Sequence, residues 1–234
     1  MKLEKLQNRI GYQFGDRGVL LQALTHTSYG HEFLSDRPIA HRDNERLEFL
    51  GDAILDGVVS DLLLEIFPKF NEGQLSKMRA AVVNEKTLAQ VALSIGLHEV
   101  VRLGKGETQS RGNLKPSILS STFEALIAAI YLDGGFLAVY PVVRHLFSRL
   151  FSEDEDSFVQ QDYKTQLQEK LQATHRQTPT YHLIKTTGPD HAKSFEIEAR
   201  IGDVALARAT GSSKKDAEQN AARAAITSLK KEST

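Results

Sequence analysis

The chain has no cysteine among its 234 residues, which removes disulfides, thiolate metal centres and cysteine nucleophiles together. A reducing cytoplasm fits. No apolar run reaches the length needed to span a membrane, and Met1-Lys2-Leu3-Glu4-Lys5-Leu6-Gln7 has neither the apolar stretch nor the cleavage site of a secretory signal. Net charge is also nearly missing, at −1. From Asp162 onward 12 Lys and Arg face 9 Asp and Glu, which leaves 17 against 21 before it, from totals of 29 and 30. The positive excess is local to the C-terminal third, so the whole-chain charge argues neither for nor against RNA. With 41% hydrophobic and 25% charged residues, disordered and fibrous classes drop out. The length suits a domain of about 150 residues followed by a smaller one.

What is present centres on Asn44-Glu45-Arg46-Leu47-Glu48-Phe49-Leu50-Gly51-Asp52-Ala53-Ile54-Leu55. At 3.6 residues per turn, Glu45, Glu48 and Asp52 form one carboxylate stripe at i, i+3 and i+7. Leu47, Phe49, Leu50, Ala53, Ile54, Leu55 and Val58 fill most of the remaining circumference, the pattern of a helix buried inside a domain. The acids are therefore expected in or beside packed protein, where their repulsion has to be neutralised.

A second stretch, Ser117 to Tyr131, has the same character, because Glu124 is the one charged residue between Lys115 and Asp133. A buried acid paired to Arg, Lys or a helix N-terminus accounts for either stretch alone. Two such helices in one domain point instead to Glu48, Asp52 and Glu124 as an all-oxygen site for a hard cation such as Mg²⁺.

These residues carry a resemblance. The run Asn44 to Asp52 resembles the signature of the ribonuclease III family of double-strand-specific endoribonucleases, and Ser117 through Leu126 resembles that family's second acidic motif. Around them, Val19 to Tyr29 is expected to form a helix, Ser60 to Phe67 extends the acidic helix as far as Pro68, and residues 78–95 read as one further helix. Ala23-Leu24-Thr25-His26, Glu72-Gly73-Gln74-Leu75-Ser76 and Leu103-Gly104-Lys105-Gly106-Glu107 are each similar to family segments. His26 is read as a buried, hydrogen-bonded structural residue, with metal or acid–base chemistry as the other account. The Leu103–Glu107 segment lacks the strand, spacing and hydroxyl of a P-loop, so no nucleotide cofactor is expected. Asp133-Gly134-Gly135-Phe136 turns the chain into a last helix, Leu137 to Phe151.

Residues 1–151 thus read as an all-α nuclease domain, and the acidic run 152–161 as a flexible linker. Residues 162–231 read as a small α+β domain of order αβββα. Its helix is expected from Tyr163 to Ala173 and its strands at Tyr181–Lys185, Ser194–Ile201 and Val204–Thr210, with Gly202-Asp203 as a hairpin turn. Phe195, Ile197 and Ala199 alternate with Glu196, Glu198 and Arg200, placing one face inward and one outward. Ser213 with Asp216 has capping-box spacing. A lysine pair in the first helical turn, Lys214 and Lys215, opposes the macrodipole, and with the free N–H groups it makes a phosphate-binding tip. A solvated pair is the other account. The region resembles a double-stranded RNA-binding domain, and the match implies contacts from Gln168 and Glu169, from His191 in the Gly188-Pro189-Asp190-His191 loop, and from Lys214 and Lys215.

The combined resemblance implies a Mg²⁺-dependent endoribonuclease, with Mn²⁺ as a substitute, that leaves 5′-phosphates and short 3′ overhangs. It implies Asp52 and Glu124 as catalytic, Glu48, Ser121 and Glu124 at the metal, and Glu45 and Glu72 supporting the cleft. A cytoplasmic homodimer is expected to process ribosomal precursors, messenger and small RNAs. One departure stands out: Ser121 occupies a position where many family members carry Asp, which removes a negative charge from the site. That departure keeps a second reading open, a non-cleaving regulator that binds double-stranded RNA.

Overall fold

A computed structural model describes residues 2–161, 163–189 and 193–231. The chain divides into two compact units, Met1–Ser152 and Glu153–Thr234.

The first unit is helical: α1 (Lys2–Ile10), α2 (Arg17–Ala23), α3 (Thr27–Phe33), α4 (Glu45–Ile66), α5 (Glu72–Val82), α6 (Glu85–Ser94), α7 (Lys105–Gln109), α8 (Pro116–Gly134) and the greater part of α9 (Phe136–Gln161), which crosses the boundary at Ser152. Its centre is α8. Pro116 at its first position suits a helix start, and from Ala125 to Ile130 every residue is buried. The small side chains of Ala125, Ala128 and Ala129 let Ala23 of α2 and Leu47 of α4 pack close, and α6 also lies against α8. The far end of α8 is tied down by Asp133, which accepts from the Tyr12 hydroxyl at 2.7 Å and from the Gly15 and Asp16 backbone N–H groups at 2.9 and 2.6 Å. Those donors hold its carboxyl below the usual range.

Three expected helices differ. The segment Val19–Tyr29 is not continuous: α2 stops at Ala23 and α3 starts at Thr27. Between them Thr25 forms an isolated parallel bridge to Arg102, and Asn44 N–H donates to the Thr25 carbonyl at 2.9 Å. Residues 78–95 are broken at Val83 and Asn84, whose side chain caps α6 by accepting from Thr87 N–H at 3.0 Å. The acidic run 152–161, expected to be a flexible linker, lies within α9 as far as Gln161. It contains no Gly or Pro, so no residue in it breaks the helix.

The second unit consists of α10 (Tyr163–His175), β1 (Thr180–Thr187), β2 (Ser194–Ile201), β3 (Val204–Gly211) and α11 (Lys214–Lys231). The strands pair antiparallel in the order β1-β2-β3, with irregularities at Leu183/Lys185 and Ala199/Arg200. Gly202 takes φ +55° in the β2–β3 turn, where glycine meets little penalty. Leu167 and Leu171 of α10, Ile197 and Ala199 of β2, and Ala217, Ala221, Ala222 and Ala225 of α11 make the core. The outward face holds a surprise: the Glu198 side chain is 1% exposed, covered by ion pairs to Arg200 and Arg208. Arg208 and then Arg200 hold its carboxyl below the ordinary value, so the outward register was read correctly but solvent exposure did not follow from it.

Candidate active site and RNA-binding surface

Gly51 sets how closely the two acidic helices approach. A Cβ there would stand 1.8 Å from the Glu124 carbonyl oxygen and 2.4 Å from its carbonyl carbon, so α4 and α8 meet backbone to backbone. Any larger residue would part them. Gly51 lies between Glu48 and Asp52 in sequence, and Glu124 sits at the point of contact on α8. Burial first, and then the charges of Asp52, Glu48 and Asp56, push the Glu124 carboxyl up to about 7. Four acids therefore share one electrostatic neighbourhood.

Their burial differs from the expectation. Glu45 and Asp52 are exposed, while Glu48 and Glu124 are half-buried. The cause is the packing of α4, which buries Leu47, Gly51, Leu55, Val58, Val59, Leu62 and Leu63 and leaves Phe49 82% exposed. One face of α4 is covered and the acids stand at its rim. Ser121 precedes Glu124 by three residues on α8 and is half-buried, so the hydroxyl and the carboxylate share a helix face. Glu72 opens α5, exposed, with its carboxylate accepting from the Ser76 hydroxyl at 3.0 Å. Among the described residues no hydrogen bond or ion pair joins Glu72 to the acids of α4.

Asp56 was not singled out from the sequence, although it continues the stripe at i+4 from Asp52. Its carboxylate lies 3.9 Å from Arg79 Nε, and Arg79 Nη1 donates to Ser60 Oγ at 2.8 Å. That pairing ties α5 to α4 and partly offsets the fourth negative charge.

Among the described residues no group of three or more His, Cys, Asp or Glu side chains is gathered tightly enough to grip an ion. The donor chemistry nevertheless fits a hard divalent cation: oxygen donors from two helices, with one carboxyl driven up by burial and then by its neighbours' negative charge.

In the second unit, Lys214 and Lys215 are exposed in the first turn of α11. The cap forms as the spacing predicts, with Asp216 N–H donating to Ser213 Oγ at 3.1 Å and Ser212 N–H donating to Asp216 Oδ2 at 2.8 Å. Gln168 and Glu169 are exposed on α10. His191 lies outside the described residues.

Residues 16–150 match the family described as Ribonuclease-III-like, and residues 163–229 match the double-stranded RNA binding motif. The chain belongs to the ribonuclease III family. "Ribonuclease 3" of Syntrophobacter fumaroxidans is 47% identical over 228 residues, 96% of this chain and 93% of that protein. "Ribonuclease 3" of Caldanaerobacter subterraneus is 44% identical over 227 residues, covering 97% and 98%. A crystal structure of the nuclease domain of the Campylobacter jejuni enzyme is 42% identical, with a TM-score of 0.57 over 64% of this chain and 95% of that one. As a ribonuclease III, the chain is an endoribonuclease acting on double-stranded RNA. That chemistry implies a divalent metal ion. Among the described residues no helix is long and apolar enough to cross a membrane.

Proposed function

We propose that this ribonuclease III uses Mg²⁺, with Mn²⁺ able to substitute, to cut both strands of duplex RNA in the cytoplasm as a homodimer. The observation that carries the reading is the backbone contact of α8 with α4 at Gly51, which sets Glu124 beside the helix of Glu48 and Asp52; burial and their charges accordingly raise its carboxyl. Glu48 and Glu124 would hold the ion, Ser121 would offer a neutral oxygen, and Asp52 would bind the ion or orient the attacking water. Bound there, a divalent ion supplies water activation and charge neutralisation at the phosphate. The chain's own acids supply position and negative potential, and none of them forms a covalent bond to RNA. Glu45 and Glu72 are assigned to the walls of the cleft. The 3′ oxygen leaves, so the cut ends carry 5′-phosphates, and two such sites on a two-fold dimer give short 3′ overhangs.

Phe49, 82% exposed beside Glu48, is the residue that such a dimer would be expected to cover. A second Campylobacter jejuni structure, 42% identical with a TM-score of 0.57 over 63% of this chain and 96% of that one, describes structural flexibility in a region involved in dimer formation of that enzyme's nuclease domain.

The test is cleavage of a long end-labelled RNA duplex by the purified protein with Mg²⁺, with Ca²⁺ and with chelator, alongside sedimentation of the same preparation. Short duplex products with Mg²⁺ and a sedimenting dimer are expected. Tight binding without cuts would transfer the function to RNA binding alone, and a monomer at working concentration would remove the two-strand geometry.

For the second unit, the reading assigns duplex contacts to Gln168, Glu169, His191, Lys214 and Lys215. Replacing both Lys214 and Lys215 with Ala is expected to weaken duplex binding on all sequences alike. The slope of log affinity against log salt should flatten by about 2, roughly one per phosphate contact. An unchanged slope, measured by filter binding with Ca²⁺, would return the pair to ordinary solvated lysines.

A further inference from the structure

A pocket of about 930 Å³ opens beside α2, a size usual for small-molecule sites. No residue of α4 and none of Leu103–Glu107 lines it. Its two ends differ in charge. Asp16 and Asp133 stand at the start of α2, where Asp133 accepts from the Gly15 and Asp16 N–H groups and Asp16 Oδ1 caps the helix by accepting from Gly18 N–H at 2.6 Å. At the other end are Arg37, His41, Arg42 and Arg102. Gln22 holds them there: its Nε2 donates to the Ala40 and Asp43 carbonyls at 2.9 and 3.1 Å, which brings the loop after α3 against the last turn of α2. From Asp16 to Gln22 the helix rises about 9 Å. Val19 and Leu132 add an apolar wall.

The basic end is built and its charge is unmet. Arg42 gives Nη2 to the Ser35 and Arg37 carbonyls at 2.9 and 3.1 Å, while its Nε is buried with no acceptor. Arg102 lies 4.1 Å over the Tyr29 ring and gives one N–H to Thr25 Oγ1 at 3.2 Å. Among the described residues no ion pair engages Arg37, Arg42 or Arg102. Carbonyls and a ring thus orient guanidinium groups that have no carboxylate, and a phosphate is the anion their planar fork fits. At the acidic end Asp133 is fully spent on its three donors. Asp16 Oδ2, by contrast, has no hydrogen bond among the described residues and remains an open acceptor.

We propose that this pocket binds a nucleoside phosphate, its phosphate among Arg37, Arg42 and Arg102 and a sugar hydroxyl or base amino group on Asp16. A bare anion would use one end alone. A polyanionic backbone laid across both ends would meet the two carboxylates, whereas a single nucleotide keeps its phosphate at the basic end. A free nucleotide and the phosphorylated end of an RNA strand offer the same chemistry. The site is independent of the ion reading above.

The test is calorimetric titration of the full-length protein in chelator, which keeps divalent ions off the α4 acids. The probes are the four ribonucleoside 5′-monophosphates, their nucleosides, inorganic phosphate, and RNA duplexes with 5′-phosphate or 5′-hydroxyl ends. At least one monophosphate should bind about 10-fold more tightly than its nucleoside and than phosphate, the effect of one charged hydrogen bond. Arg37→Ala removes an exposed side chain, so it should melt like wild type and bind that nucleotide about 10-fold more weakly. Asp16→Asn keeps the cap and replaces the open acceptor by a donor, so it should weaken the nucleotide and leave phosphate binding unchanged. If free nucleotides do not bind but the 5′-phosphorylated duplex is preferred over the 5′-hydroxyl one, and Arg37→Ala abolishes that preference, the ligand is a strand end and the pocket stands. Nucleotide affinity unchanged by both substitutions would place binding elsewhere and overturn the proposal. So would phosphate bound as tightly as any nucleotide, or neither nucleotide binding nor a 5′-phosphate preference.

Discussion

Glu124→Gln is expected to abolish duplex cleavage and, in the absence of metal, to make the protein more stable above neutral pH. The activity loss should exceed about 100-fold, because losing even an outer-shell partner of a metal ligand costs roughly 10–100-fold. The stability gain follows from the carboxyl's position, which is pushed up to about 7 from an ordinary 4.5 by burial and by Asp52, Glu48 and Asp56. A carboxyl that binds its proton more tightly in the fold than in the unfolded chain stabilises the fold when protonated. That contribution is complete below the ordinary value and is lost as pH rises through about 7. By pH 8 the loss amounts to about 1–2 kcal/mol once solvent screening of a half-exposed group is discounted. Gln keeps the shape and never ionises, so chelated wild type and variant should melt alike below about pH 4 and diverge as pH rises from about 4.5 to about 7, with the variant higher and the gap constant above that. Adding Mn²⁺ should close the gap by stabilising wild type alone. Parallel melting at all pH values, or cleavage by the variant at the wild-type rate, would remove Glu124 from the site.

Gly51→Ala should be the most damaging single methyl in the first unit. The added carbon would lie 1.8 Å from the Glu124 carbonyl oxygen, and its obstacle is backbone in the most buried helix, with no flexible side chain to yield. The helices must separate. Overpacking of this kind costs about 3 kcal/mol, at the upper end of its usual range or beyond it, which lowers the melting temperature of a chain this size by roughly 6–12 °C. Glu124 moves with its backbone, so cleavage should fall further than stability alone explains, while duplex binding through the second unit persists. Calorimetry together with Ca²⁺-supported duplex binding checks both parts. A variant that melts and cleaves like wild type would mean that the helices do not touch at Gly51.

Much of this architecture could be read from local patterns. The alternation of Phe195, Ile197 and Ala199 placed β2 at its observed bounds, and Ser213 with Asp216 marked the start of α11. Where reading failed, the deciding contact was distant or the local signal was passed over. The break at Thr25 follows from its bridge to Arg102, and nothing in the apolar seam from Val19 to Tyr29 announces a partner 77 residues away. Asn84 did announce itself as a cap ahead of Glu85, yet the apolar face on either side masked it. The acids were expected deeper than they lie, because composition around a helix cannot say that its neighbour covers only one side. Glu198 went the other way: its outward register was legible, but its burial depends on two arginines folding over it. Asp56 was legible as the next turn of the stripe. The role of Gly51 was not, because a glycine among acids looks like a spacer until the opposing backbone is seen.

Asp52 and Glu124 are 72 residues apart, and α4 and α8 bring their neighbourhoods together only by direct backbone contact. During synthesis the ribosome releases the acidic stripe long before the helix that completes it. A nascent chain halted ahead of Pro116 would carry Glu48 and Asp52 on a helix that still lacks its main neighbour, α8, and under the proposed site it would hold only half of the ligands. With that site, hydrolytic capacity would appear only when α8 closes against α4 at Gly51.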